Sequence, residues 1–165
     1  MDRQTTPRII ELRHGGTLLR RLYLFVRVVM ALMFIYAGSL KLVDPKAFAR
    51  VISHYDILPE FLLPVVAIGL PAVEVLAGLA LIFDLPTGLY GITGLLLLFV
   101  AVLGYGVLNE LDIDCGCFGP EELANRAGLA NAFYRDLALV GAVAYLHWYR
   151  HIRRLLNGAI EKLPK

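Results

Sequence analysis

Long apolar runs separated by short polar segments dominate the pattern of the chain. Three of them, residues 22–43, 61–83 and 85–108, are each about as long as the roughly 20 residues that a helix needs to cross a bilayer. A fourth run, 137–149, is shorter and reaches that length only if it extends back through 127–134. Because backbone polar groups inside a bilayer must be bonded internally, the pattern predicts an all-α, integral membrane four-helix bundle.

The first connection between apolar runs has a helical pattern of its own. Asp44 and Pro45 are typical of an N-cap and a first helical residue. Apolar residues then recur at helical spacing, as at Phe48 and Val51, before Pro59 ends the segment. This pattern predicts a short helix lying at the membrane interface in the first outer loop.

Composition supports membrane insertion and argues against nucleic-acid binding. The chain has 165 residues, of which 58% are hydrophobic and 18% charged, against roughly 45–50% and 25% in soluble domains. The net charge is only +2, and no basic stripe with interleaved aromatic residues runs through the chain. We therefore expect no nucleic-acid partner.

Basic residues at both ends predict the orientation. They precede the first apolar run at Arg3, Arg8, Arg13, Arg20 and Arg21, and follow the last at Arg150, Arg153, Arg154, Lys162 and Lys165. Because basic loops favour the cytoplasmic side, we predict an inner-membrane protein with a cytoplasmic segment 1–21, a transmembrane domain 22–149 and a cytoplasmic tail 150–165. The first run is predicted to be retained, since Ile35 before Ala37 is a poor signal-cleavage site.

Both cysteines lie in one hexapeptide between the third and fourth runs, which this orientation places on the outer side. Cys115 and Cys117 are separated only by Gly116, and disulfides persist mainly in oxidising compartments. A redox-active pair is the favoured interpretation, because so small a ring constrains little chain entropy as a structural link. A passive disulfide and a metal or sulfur-carrier site remain open, although no metal ligand set is predicted.

Charged residues interrupt the apolar runs at membrane depth, where such residues are functional candidates. Glu74 is predicted either to relay a proton or to pair with a neighbouring helix through Tyr36 or Lys41. Arg135 and Asp136 need partners from other helices, and Asp136 is a candidate partner for Lys41. A structural clamp is the favoured role for this Arg–Asp step. Lys41 lies near the end of its apolar run. The alternative to pairing is that its side chain extends towards the lipid headgroups.

The order and spacing of several short motifs are similar to those of a known family. The residues that make up these motifs are Gly38, Lys41, Asp44, Pro45, Phe48, Tyr55, Leu58, Pro59, Pro71, Glu74, Gly78, Cys115, Cys117, Gly119, Arg135 and Asp136. Over about residues 20–150 the chain resembles the MauE group within the DoxX-like membrane proteins. The resemblance implies a four-helix membrane protein associated with maturation of a disulfide-rich periplasmic dehydrogenase subunit, or with quinone-coupled sulfur oxidation.

The chain is also loosely similar to quinone-linked disulfide-forming enzymes of the DsbB and vitamin K epoxide reductase type. Those enzymes use two cysteine pairs, whereas this chain has one. Its pair must therefore exchange electrons with a quinone or with a thioredoxin-like or other periplasmic thiol protein. The leading hypothesis is a thiol–disulfide oxidoreductase component with Cys115, Cys117, Glu74, Arg135 and Asp136 as catalytic residues.

The quinone is predicted to bind between the helices, with Tyr55, Lys41 and Tyr36 as its contacts. Two alternatives stay open. One is a non-catalytic scaffold or assembly factor for a periplasmic redox protein. The other is a small transporter of a sulfur species with Glu74 in its path, which would require oligomers because four short helices leave little room for alternating access.

Overall fold

Helices form all the regular structure that the computed structural model describes. It describes the backbone of residues 6–55, 58–109 and 127–161, and the side chains of 18–55, 58–109 and 131–155. The helices are α1 (Thr6–Val43), α2 (Pro45–Ser53), α3 (Leu63–Ile82), α4 (Pro86–Leu108) and α5 (Ala127–Glu161), with a 3₁₀ turn at Glu60–Leu62. Within these ranges the all-α prediction is confirmed.

In the part of the chain that the structure describes, three helical segments are long and apolar enough to cross a membrane: Leu18–Val43, Glu60–Ile82 and Pro86–Leu108. Many of their large apolar side chains are exposed, including Phe25, Ile68 and Leu97, as a lipid-facing surface requires. The chain is a multi-pass membrane protein. That α5 supplies a fourth crossing, that α2 lies at the interface, and that both termini are cytoplasmic stay predictions.

The long helices pack in sequence around a shared apolar core. α1 runs along α3, α3 along α4 and α4 along α5, while α5 also contacts α1 and α2 packs on α3. The buried core residues are Tyr23, Met30, Ala31 and Phe34 of α1, Ala77 and Leu81 of α3, Leu89, Ile92, Leu95 and Leu96 of α4, and Val143 and Leu146 of α5. Burial of this core fixes the register of the charged residues described below.

Two glycines let α1 and α3 approach closely. A Cβ atom added at Gly38 would lie 2.8 Å from the backbone oxygen of Pro71, and one at Gly78 would lie 2.7 Å from Cγ1 of Ile35. Small residues at such crossings permit close backbone contact between membrane helices. This contact sets the register in which Lys41 of α1 meets Glu74 of α3.

The predicted start of α2 is confirmed. The side chain of Asp44 accepts a hydrogen bond of 2.9 Å from the backbone N–H of Ala47, and Pro45 is the first helical residue. A capping carboxylate satisfies a backbone donor that the first turn would otherwise leave unpaired. The cap therefore fixes where α2 turns away from α1 to pack on α3.

An ionic network closes the opposite end of the fold, at the turn between α3 and α4. Asp84, at φ 59°, accepts a hydrogen bond of 2.8 Å from the Tyr23 hydroxyl. Its Oδ1 also lies 2.8 Å from Nη1 of Arg27 and 2.6 Å from Nη2 of Arg150. Burial alone would raise the pKa of Asp84, but the Tyr23 and Arg150 hydrogen bonds and the Arg27 charge together lower it. The network joins α1, the α3–α4 turn and α5.

Candidate functional site

A buried ion pair joins α1 to α3. Nζ of Lys41 lies 2.6 Å from Oε1 of Glu74, and the two side chains are only 4% and 1% exposed. Of the partners considered for Glu74, Lys41 is therefore confirmed. The alternative in which Lys41 extends towards the headgroups is wrong, because the close contact of α1 with α3 leaves its ammonium beside the carboxylate.

Aromatic rings and one open oxygen complete the surroundings of this pair. The Lys41 ammonium lies 4.8 Å from the centre of the Phe99 ring and 5.2 Å from that of Phe48, within the range of cation–π attraction. Oε2 of Glu74 is buried and has no hydrogen-bond partner among the described residues. The carboxylate therefore retains an acceptor that is not used to hold Lys41.

Arg135 and Asp136 of α5 face the same region. Asp136 is 4% exposed, and its Oδ1 lies 3.3 Å from Nε of Arg135. Lys41, the candidate partner of Asp136, acts on it at longer range, while the ion pair that the structure shows for Asp136 is with its sequence neighbour Arg135. All four charged residues, Lys41, Glu74, Arg135 and Asp136, line one small cavity of about 50 Å³.

A larger apolar cleft of about 600 Å³ adjoins this cluster. Its lining comes from α1, α2, the segment before α3, α3, α4 and α5: Lys41, Phe48, Val51, Ile52, Tyr55, Leu58, Val65, Val66, Gly69, Leu70, Val73, Leu98, Phe99, Val102, Leu103 and Asp136. Lys41 and Asp136 are its charged members. Val65, Val73 and Leu98 are also about half exposed or more on the outer helix surface, so the cleft adjoins the lipid-facing side.

The cleft contains two of the three residues predicted to contact a cofactor. Tyr55 is 7% exposed and lines it, as does Lys41. Tyr36 is 56% exposed on α1 and is not among the described residues that line either cavity. Its role as a cofactor contact stays a prediction.

The two cysteines lie outside the described residues. In the chain they fall between the end of α4 at Leu108 and the start of α5 at Ala127. Leu103 near the end of α4 and Asp136 near the start of α5 both line the apolar cleft. The described helix ends that flank the cysteine segment therefore belong to the same end of the fold as the cleft.

The network around Asp84 was not predicted from the sequence. Its available signal was a carboxylate in the short turn between the second and third apolar runs, but Tyr23, Arg27 and Arg150 are distant in sequence and meet it only in the packed structure. The network lies far from the charged cluster along α1 and α3. We interpret it as a clamp on helix packing, separate from the candidate site.

Comparison with known proteins identifies the family. The family model for methylamine utilisation protein MauE matches residues 19–149. Methylamine utilization protein MauE of Paracoccus denitrificans is 35% identical over 97 residues, which cover 56% of this chain and 52% of that protein. The aligned part thus spans about half the length of that relative. No solved structure matches the chain. Because the family model covers most of its length, the chain belongs to the MauE family.

Proposed function

We propose that this protein is a membrane maturation factor that oxidises thiols of an extracytoplasmic partner. Cys115 and Cys117 form the exchanging pair, and a quinone bound in the apolar cleft accepts the electrons. The partner is a thioredoxin-like or other periplasmic thiol protein, and the methylamine-utilisation name of the family suggests one that serves amine oxidation. The observation that carries the proposal is the buried Lys41–Glu74 pair at the edge of an apolar cleft whose lining includes residues exposed on the outer helix surface.

The size and chemistry of the cleft suit a quinone ring. Ligand pockets of roughly 300–1,000 Å³ with apolar walls and a few polar groups hold organic molecules of this size, and this cleft has about 600 Å³. A quinone is flat and apolar, with two carbonyl oxygens that accept hydrogen bonds. Lys41 offers an ammonium donor, and Phe99 and Phe48 offer aromatic faces beside it.

The proposed reaction moves two electrons and two protons in each of two steps. First, two thiols of the partner reduce the Cys115–Cys117 disulfide; the partner gains a disulfide and this chain gains two thiols. Second, the Cys115 and Cys117 thiols form their disulfide again, and the two electrons and two protons pass to the quinone, giving a quinol. The oxidant is the membrane quinone, so no other co-reactant is needed.

The charged cluster supplies proton chemistry for the second step. As negative charge develops on the quinone oxygen, the Lys41 ammonium stabilises it through a hydrogen bond. Once Lys41 has given a proton to that oxygen, Glu74 can replace it through the 2.6 Å contact of Oε1 with Nζ, and the open Oε2 can accept the next proton. Arg135 and Asp136 lie on the helix that follows the cysteine segment and line the small cavity with Glu74. This position suits the Asp136 carboxylate to carry protons from the thiols, while Arg135 holds that carboxylate by an ion pair.

Filling the cleft separates this proposal from a scaffold function. A Cβ atom at Gly69 would meet nothing within 4 Å, and Gly69 lines the cleft, so Gly69→Leu should occupy the quinone site without disturbing the helix contacts. Gly94→Leu is the matched control, because Gly94 has the same open surroundings on α4 and does not line the cleft. The protein is reconstituted with a short-chain quinone and a reduced thiol substrate.

We expect thiol oxidation to fall at least about tenfold in Gly69→Leu, equivalent to about 1.4 kcal/mol, and to be unchanged in Gly94→Leu. Cys115→Ser and Cys117→Ser should each abolish it. Full activity of the double cysteine variant would overturn the redox proposal. If that variant also still co-purified with its partner, the scaffold function would take its place.

A further inference from the structure

We propose that a second cleft, at the end of the fold opposite the charged cluster, binds the phosphate group of an anionic phospholipid. The cleft has a volume of about 350 Å³ and lies between α4 and α5. The aromatic and basic residues that line it are Tyr90 on α4 and His147, Trp148, Arg150, His151 and Arg154 on α5. No carboxylate lines it among the described residues, so its charge is positive.

Arg150 forms the fixed base of this cleft. Its Nη2 donates to Asp84 at 2.6 Å and its Nε donates to the Tyr23 hydroxyl at 3.0 Å. The same carboxylate is already paired with Arg27 at 2.8 Å. One carboxylate therefore faces two guanidinium groups, and a positive charge remains for an anion. Arg154 and His151 are exposed at the rim and can close around a phosphate.

A hydrogen bond holds the imidazole of His147 in place. The Thr93 hydroxyl donates to the Leu89 carbonyl at 2.7 Å, so its oxygen accepts from Nε2 of His147 at 3.0 Å. The Tyr90 ring lies 5.3 Å from the imidazole. The wall of the cleft is thus positioned by contacts within the protein before any ligand arrives.

The aromatic and apolar surroundings favour a lipid over a free phosphate ion. Tyr90 and Trp148 are 61% and 53% exposed, and such side chains are enriched at membrane–water interfaces. Leu97, seven residues beyond Tyr90 and thus on the same face of α4, is also exposed. Acyl chains attached to a phosphate in the cleft would lie along this face, and basic pockets between membrane helices are known headgroup sites.

Native mass spectrometry of the detergent-purified protein with added phosphatidylglycerol tests the proposal. The variant is His151→Ala with Arg154→Ala, and the matched control is Arg153→Ala, which removes an exposed arginine beside the cleft without removing any of its lining. Since one arginine near an anionic membrane surface strengthens binding by about fivefold, we expect at least about fivefold weaker lipid retention in the double variant and no change in Arg153→Ala. Arg154→Lys should retain most of the binding.

Two further measurements distinguish a phospholipid from free phosphate as the source of the bound phosphate group. Phosphatidylcholine, which carries a phosphate but no net charge, should be retained poorly, and inorganic phosphate at millimolar concentration should fail to displace phosphatidylglycerol. An equal loss of lipid retention in Arg153→Ala would show that the lipid is attracted diffusely to basic residues, and it would overturn the proposed site. Full displacement by inorganic phosphate would overturn the lipid assignment, and equal retention of phosphatidylcholine would overturn the preference for an anionic phospholipid.

Discussion

Nζ of Lys41 lies 2.6 Å from Oε1 of Glu74, and this contact links α1 to α3 in a part of the fold that is almost completely buried. Burying two charges costs several kcal/mol for each ion, and their attraction offsets this only when the geometry is good. An apolar pair could hold the same helices together as well or better. The ion pair therefore suits a chemical role more than a purely structural one.

Removal of one partner from this pair should destabilise the protein strongly. Glu74→Ala leaves the Lys41 ammonium buried without its carboxylate, and we expect a loss of about 3–5 kcal/mol in the free energy of unfolding. Glu74→Gln, which retains an acceptor of similar shape, should lose less. Unfolding in mixed micelles with increasing SDS measures both.

Replacement of both partners separates stability from chemistry. Lys41→Met with Glu74→Leu should restore the stability that Glu74→Ala loses, because no charge is then left unpaired. It should nevertheless lack thiol oxidation with quinone. A double variant that is stable and fully active would assign the pair to packing alone.

The close approach of α1 to α3 should make Gly38 sensitive to one added methyl group. Gly38→Ala would place a Cβ 2.8 Å from the Pro71 carbonyl oxygen, and we expect a loss of about 1–3 kcal/mol from overpacking. The control is Gly94→Ala, where nothing lies within 4 Å and alanine should stabilise the helix by up to about 1 kcal/mol. The same unfolding assay compares them; equal stability of the two variants would contradict the close crossing.

The clamp at Asp84 should make stability depend on pH in the acidic range. Because the pKa of Asp84 is lowered in the folded state, the folded protein favours its charged form. The contribution is fully present above the unfolded pKa of about 3.9 and is lost as the pH falls through the lower folded pKa. Unfolding curves between about pH 1 and pH 7 measure the change.

Asp84→Asn is the variant that isolates this effect. Asparagine tolerates the left-handed backbone conformation that Asp84 adopts at φ 59°, so the turn is kept while the charge is removed. The difference in stability between the parent protein and this variant should be clear at neutral pH and vanish in acid. A difference that stayed constant over the whole range would mean that the clamp does not depend on the charge of Asp84.

The sequence predicted the elements whose signals are local. The three apolar runs predicted the membrane-capable helices, and Asp44 with Pro45 predicted the start of α2, because hydropathy and capping act within a few residues. The sequence left two candidate partners for Glu74, Tyr36 and Lys41, and did not decide between them. These two residues lie five positions apart on α1, or about 140° around the helix, so only the register set at Gly38 decides between them.

Features that depend on three or more helices were predicted only in part, as with Tyr55 and Lys41, which do line the apolar cleft. The Asp84 clamp brings together Tyr23, Arg27 and Arg150, which have no local pattern in common. The apolar cleft forms because α2 and Tyr55 lie over α3 and α4, a placement that periodicity along single helices does not specify. The sequence named Lys41 as a candidate partner of Asp136, but Arg135 beside Asp136 provides the nearer charge.

Electron transfer from the cysteine pair to quinone is the central claim, and its stoichiometry tests it most directly. The purified protein is reduced, freed of reductant under anaerobic conditions and mixed with a short-chain quinone, while quinol and the remaining thiols are counted together. We expect one quinol for each pair of thiols lost from Cys115 and Cys117, with the reaction slowed at least about tenfold in Gly69→Leu. Thiols that stay reduced while quinone is unchanged would contradict the account.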